Sequence, residues 1–261
     1  MSQNASNPTS PIRLAILLAG ETNRSMLDSQ AKYTDLFTAF FASKSDTIGL
    51  EFVAVRDGAF PSRVDAYDGY LVTGSLYGVY DDPPWIGKLM AFVREAYQHN
   101  IPLLGVCFGH QLIAHALGGK AELSNKGWVA GGRTLPVLCH PLGGRATISD
   151  KPATTLTLLY THQDQVVALP PDAQAWLGDD LCPIAGMTIP NKVLTVQGHP
   201  EFSADYLTAL LQVLRPKLGD THTDQAIASI KAAETHTHHA RVRDWMVEFL
   251  TRNARKQKSA A

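Results

Sequence analysis

The chain's 261 residues carry 23 Lys+Arg against 24 Asp+Glu, a net charge of −1, and 45% of them are apolar. That composition supports a continuous core and leaves no electrostatic footprint for a nucleic-acid partner. The three cysteines lack a C-x-x-C spacing, which argues against a disulfide framework or a structural zinc and fits a reducing compartment, so a cytoplasmic location is expected, and no apolar run approaches the roughly 20 residues a membrane span needs.

Residues 1–11 are polar, uncharged and unlike a signal peptide, and read as a disordered tail. Strand signals follow at 12–18, 51–55, 69–73 and 101–106. Between most of them lie helical patterns: residues 32–42 carry Leu36, Phe37, Phe40 and Phe41, and residues 84–99 carry Ile86, Leu89, Met90 and Val93 at helical spacing. A third helix is expected over 108–117, stopped by Gly118-Gly119. This alternation predicts an α/β fold with an open, mainly parallel sheet and helices on both faces, in which ligands bind beyond the carboxyl ends of the strands. From Gly119 to Val196 the pattern shortens, with candidate strands at 133–138, 155–160, 165–169, 174–177, 182–189 and 193–196. A mixed or antiparallel extension follows from that change. The stretch 126–132 is expected to be a loop near the cleft, with Trp128 as a buried anchor or a lid. Helices resume at 204–214 and around Val242, Trp245, Met246, Phe249 and Leu250. His236, His238 and His239 lie between them in a segment read as a solvated or partly helical linker, without convincing metal-ligand spacing. A single domain over 12–252 with a C-terminal tail over 253–261 is the expected organisation.

The most informative residue is Cys107. In Gly105-Val-Cys-Phe-Gly109 it falls where a short apolar strand gives way to a helix, with glycines on both sides. This G-x-C-x-G pattern parallels the sharp G-x-S-x-G elbow that exposes a nucleophile, and a thiol at a helix N-terminus is favoured as thiolate. A second strand, 193–196, delivers Gln197-Gly-His-Pro-Glu201 at its end. His199 and Glu201 are two residues apart, so in an extended segment both point to one side and the carboxylate fixes the imidazole.

Four separated segments carry a family resemblance: Leu71-Val-Thr-Gly-Ser75 with the following Tyr77 to Trp85, Gly105-Val-Cys-Phe-Gly-His-Gln111, Thr161-His-Gln-Asp-Gln-Val166, and Gln197-Gly-His-Pro-Glu201. In these the chain resembles the class I (triad) glutamine amidotransferases, and is similar to stand-alone proteins of the GMP-synthase amidotransferase type and to γ-glutamyl peptidases. The resemblance implies Cys107 as nucleophile, His199 as base and then acid, and Glu201 as the orienting carboxylate. It further implies an oxyanion hole from the N–H groups of Gly74 and Phe108, and a contact from Gln111 to the amino-acid end of a glutamyl substrate. Where relatives commonly have Ser-His-Gly-Asp, this chain has Thr161-His-Gln-Asp164, so the Gln163 side chain is expected to project into the pocket. His162 and Asp164 read equally as substrate contacts and as a turn held by the Asp side chain.

The reaction so implied is hydrolysis of a γ-glutamyl amide through a thioester on Cys107, with no metal or organic cofactor. Glutamine is the first candidate substrate, its ammonia passing to a separate synthetase subunit; a γ-glutamyl peptide or amine, cleaved without a partner, is the alternative. A catalytically silent binding protein on the same fold is the alternative of a different class.

Overall fold

Along β1 (Ile12–Leu17) the side chains alternate between two cores, Leu14 and Ile16 packing on one side and Ala15 and Leu17 on the other, the period-two signature of a strand buried on both faces. The computed structural model describes residues 10–26, 31–143 and 154–260; most of the tail expected over residues 1–11 lies outside them. After β1 come α1 (Tyr33–Phe41), β2 (Ile48–Val53), β3 (Gly69–Val72), α2 (Pro84–Gln98), β4 (Leu103–Val106) and α3 (Phe108–Ala116). The middle of the chain forms β5 (Lys120–Leu123), β6 (Val129–Pro136), β7 (Thr155–His162), β8 (Asp164–Ala168), β9 (Gln174–Leu177), β10 (Gly186–Ile189) and β11 (Val193–Val196). It ends in α4 (Ala204–Leu218), α5 (Asp220–Ala233) and α6 (His239–Ala260).

Among the described residues one seven-stranded sheet has the order β2-β1-β3-β4-β11-β10-β9. Its first five strands are parallel, and β10 and β9 add antiparallel at one edge. One face is covered by Phe37 and Phe41 of α1 with Met246 and Leu250 of α6. The other is covered by Leu89 and Val93 of α2 with Leu112 and Ile113 of α3. The expected α/β class, with helices on both faces and a mixed extension, is the architecture observed. Two antiparallel ribbons, β5 with β8 and β6 with β7, stand outside the main sheet. Leu159 of β7 packs with Leu207, Leu211 and Ile230 of α4 and α5 in a third core.

Several boundaries differ from the sequence reading. The second strand starts at Ile48 and stops at Val53, because Val55–Asp57 coils into a short 3-10 turn. β6 begins at Val129, so the loop expected over 126–132 is shorter. Only Gly186–Ile189 of the stretch 182–189 is strand: Asp179 Oδ1 accepts from the N–H groups of Leu181 and Cys182 and turns the preceding residues. Helix α5 fills the segment expected as a solvated or partly helical linker. Apart from Ile230 its buried face is built from the small residues Thr223, Ala226 and Ala233, and it approaches β6 so closely that a Cβ on Gly131 would fall 2.1 Å from Ser229 Oγ. A stripe of small side chains gives a weak hydrophobic period, while backbone proximity supplies the packing. Helix α6 continues past the tail boundary at 252 to Ala260. No described helix is long and apolar enough to cross a membrane.

Candidate active site

Parallel β4 and β11 lie side by side with Val106 opposite Val196, so the two chain segments that leave the sheet here start from adjacent points. The Cys107 N–H donates to Val196 O at 2.9 Å, and α3 begins at the next residue. Cys107 has φ 54° and ψ −107°, a backbone state that costs a non-glycine residue on the order of 1–3 kcal/mol and clusters at functional sites. Both flanking glycines are required by contact. A Cβ on Gly109 would sit 2.0 Å from Val72 O, and one on Gly105 would sit 2.7 Å from the carbonyl of Gly109.

His199 is held by its backbone N–H, which donates to Leu159 O of β7 at 2.8 Å. Its ring stacks on Phe202, 3.9 Å between centroids and 6° from parallel. Nδ1 bonds Glu201 Oε1 at 2.7 Å, which leaves Nε2 free for the chemistry of Cys107, a close electrostatic neighbour of the ring. Burial works against the imidazolium, but Glu201 and Cys107 outweigh it and carry the His199 pKa up to about 10. All three residues are buried, Glu201 at 6% exposure.

Gly74 follows β3 and faces this pair. A Cβ there would meet His199 Cε1 and the Tyr33 hydroxyl at 3.1 Å and Cys107 Cβ at 3.7 Å. Phe108, as the first residue of α3, presents an N–H that the helix itself cannot use. Tyr33 was not singled out in the sequence. Its hydroxyl is held protonated, first by burial and then by Tyr206, Glu201 and Cys107 nearby. An aromatic at the start of an amphipathic helix carries no local signal for such a role.

Gln111 is not a solvated helix residue: it is 3% exposed, and its amide nitrogen donates to Asp164 O at 2.8 Å and Gln197 Oε1 at 3.0 Å. Only its oxygen remains for a ligand, although the side chain lines the cleft. His162 is buried, bonds Asp164 O through Nδ1 at 2.9 Å, and is kept neutral as burial lowers its pKa to about 3. Asp164 accepts from the Tyr80 hydroxyl at 3.0 Å, and burial raises its carboxyl. Gln163 lines the cleft together with both.

His110, next to the elbow, pins α3 to the sheet. Nε2–H donates to Ile184 O at 2.9 Å and Nδ1 accepts from Thr195 of β11 at 2.7 Å; burial lowers its pKa to about 4. Folded His110 and His162 thus bind protons less readily than in the unfolded chain, whose histidine pKa is about 6.5. Their contribution to stability is complete above that value and declines as pH falls toward about 4. Thermal melts are expected to show Tm dropping by several degrees between about pH 7 and about pH 4. A flat Tm across that window would contradict the neutral assignment.

The cleft of about 280 Å³ is lined by Gly20, Tyr77, Cys107, Trp128, Leu214 and Lys217 among others. Among the described residues no group of three or more His, Cys, Asp or Glu side chains is placed to hold a metal ion.

Residues 35–211 match the glutamine amidotransferase class-I family. γ-Glutamyl peptidase 5 of Arabidopsis thaliana is 28% identical over 226 residues, 85% of this chain and 89% of the relative. A glutamine-hydrolyzing GMP synthase of Chlamydia caviae is 33% identical over 141 residues, 52% of this chain but 25% of the synthase. The crystal structure of a glutamine amidotransferase from Thermotoga maritima superposes with a TM-score of 0.69 at 16% identity, covering 94% of this chain and 99% of that one, a likeness of fold. With the match extending over most of its length, the chain belongs to the class-I glutamine amidotransferase family.

Proposed function

We propose that the protein hydrolyses γ-glutamyl amide bonds with Cys107, His199 and Glu201 as its catalytic residues. One observation carries this reading: a cysteine held at φ 54° where β4 meets α3, electrostatically coupled to a histidine whose Nδ1 bonds a glutamate at 2.7 Å, both lining one cleft. The thiolate attacks the γ-carbonyl, and the N–H groups of Gly74 and Phe108 receive the oxyanion. Imidazolium His199 protonates the amine as the C–N bond breaks. Water, deprotonated by His199, then opens the thioester, releasing the γ-carboxylate and restoring the thiol.

The cleft's volume of about 280 Å³ favours a leaving amine larger than ammonia. Besides Cys107 and His199 it is lined by Trp128 and by Tyr206, Leu210, Leu214 and Lys217 of α4. γ-Glutamyl peptides or amines are therefore the better-fitting substrates. If ammonia is the product, a separate synthetase subunit would receive it, as the GMP synthase relative suggests. A panel of glutamine and γ-glutamyl amides assayed on the isolated protein tests this. Turnover of peptide or amine substrates well above that of glutamine is expected; glutamine turnover alone would return the assignment to a partner-dependent glutaminase.

Two further outcomes are expected. A glutamine-like diazoketone labels Cys107 at neutral pH, whereas no labelling would favour a silent binding protein. Gly74→Ala, which crowds His199 and Tyr33 without a backbone conflict, lowers kcat roughly tenfold to a hundredfold while leaving the circular-dichroism melt close to wild type.

A further inference from the structure

β7 has two edges, and β6 occupies one of them. The other is taken in succession by two histidine segments. His199 N–H donates to Leu159 O at 2.8 Å, and two residues along, His238 N–H donates to Thr157 O at 2.9 Å while His238 Nδ1 accepts from Thr157 N–H at 3.0 Å. These attachment points are about 7 Å apart along the strand. His199 pairs antiparallel with Leu159, so the chain leaving it toward Glu201 runs toward Thr157 and the His238 attachment. His239, the next residue, opens α6. The Thr157 end of β7 thus gathers Glu201 and His239, and each has one buried atom without a hydrogen-bond partner: Glu201 Oε2 and His239 Nε2. Such leftover atoms are uncommon in folded proteins, and each costs free energy until it is satisfied.

We infer that His239 is a positioning residue for the proposed catalytic pair, its Nε2–H serving Glu201 Oε2 through a small side-chain rotation or one bridging water. Glu201 is then held at both oxygens, Oε2 by α6 and Oε1 by the imidazole it orients. The inference rests on the cysteine-hydrolase reading. Burial lowers the His239 pKa, Glu201 opposes that and His238 reinforces it, so a neutral ring with a proton to donate is the favoured state. Around Glu201 the other titratable neighbours are His199 on its own segment, Tyr33 of α1 and Tyr206 of α4. The His236 to His239 run thereby acquires a role: His238 docks on β7, and the docking aims His239.

The test compares His239→Phe, which keeps a ring of similar size, with His239→Gln, which keeps an N–H donor. Expected for His239→Phe is a fall in kcat of about tenfold with KM little changed. His239→Gln recovers most of the rate. Wild-type kcat in His239→Phe, or a His239→Gln as slow as His239→Phe, would overturn the inference. Should His239→Phe fail to fold, ¹⁵N-histidine NMR of the wild type and of Glu201→Gln decides the matter: the His239 ring signals are expected to shift between the two, and identical signals overturn the link. That measurement does not depend on turnover, so a protein inactive on every γ-glutamyl amide would sink the functional reading and leave the link between His239 and Glu201 to be judged by NMR.

Discussion

Cys107→Ala is expected to fold and to lose γ-glutamyl hydrolysis by on the order of 10⁵-fold in kcat, since removal of the nucleophile leaves only binding and the oxyanion donors. Release of amine and glutamate from a γ-glutamyl substrate, measured against wild type, checks this. Equal rates would remove Cys107 from the mechanism. A control separates chemistry from backbone strain. Alanine at 107 keeps the unfavourable φ of 54°, whereas glycine tolerates it. Cys107→Gly is therefore expected to be more stable than Cys107→Ala by about 1–2 kcal/mol and equally inactive, as judged by chemical denaturation. That pair of outcomes would show that the elbow is held under tension for the sake of the sulfur.

The second large effect is expected from Glu201→Gln. The amide preserves size but removes the charge and lets the imidazole adopt another tautomer, and loss of an orienting carboxylate of this kind costs on the order of 10²–10⁴ in kcat. The sign of the accompanying pH effect follows from the pair. Glu201 and Cys107 raise the His199 pKa to about 10, and the proton needed by the leaving amine is lost as pH rises through that value. Without the carboxylate His199 releases its proton earlier, so the alkaline limb of kcat moves to lower pH. A profile of kcat against pH for both proteins, with kcat unchanged in the variant, would dismiss Glu201 from the mechanism.

The parts of the site visible in the sequence are those whose geometry is local. Gly105 and Gly109 around Cys107 announce a turn whose need for missing side chains is set by contacts under 3 Å, and His199 and Glu201 declare their relation through a two-residue spacing. The alternating strands and helices of the first half were legible for the same reason, because each strand is buried on both faces and reads as an apolar run. What was not legible depends on distant segments meeting. Tyr33 comes near Cys107 and Glu201 from α1, and His239 is brought within electrostatic reach of Glu201 where β7 docks His238. Helix α5 reads as no more than a partly helical linker because its packing comes from close approach to Gly131 and Gly132, and mostly small side chains leave little periodic trace. Gln111 is a further case, since its amide nitrogen is tied to Asp164 O and Gln197 Oε1, partners that only the fold brings to it.

The Val196 carbonyl that receives the Cys107 N–H belongs to the same strand that releases His199 three residues later. The distance between sulfur and imidazole is thereby inherited from the register of two neighbouring strands at the centre of the sheet. The rim of the cleft, by contrast, is furnished by the segments around Tyr77, Trp128 and Gln163 and by α4. Substitutions along that rim can thus change what the cleft admits while the spacing of Cys107 and His199 stays set by the sheet.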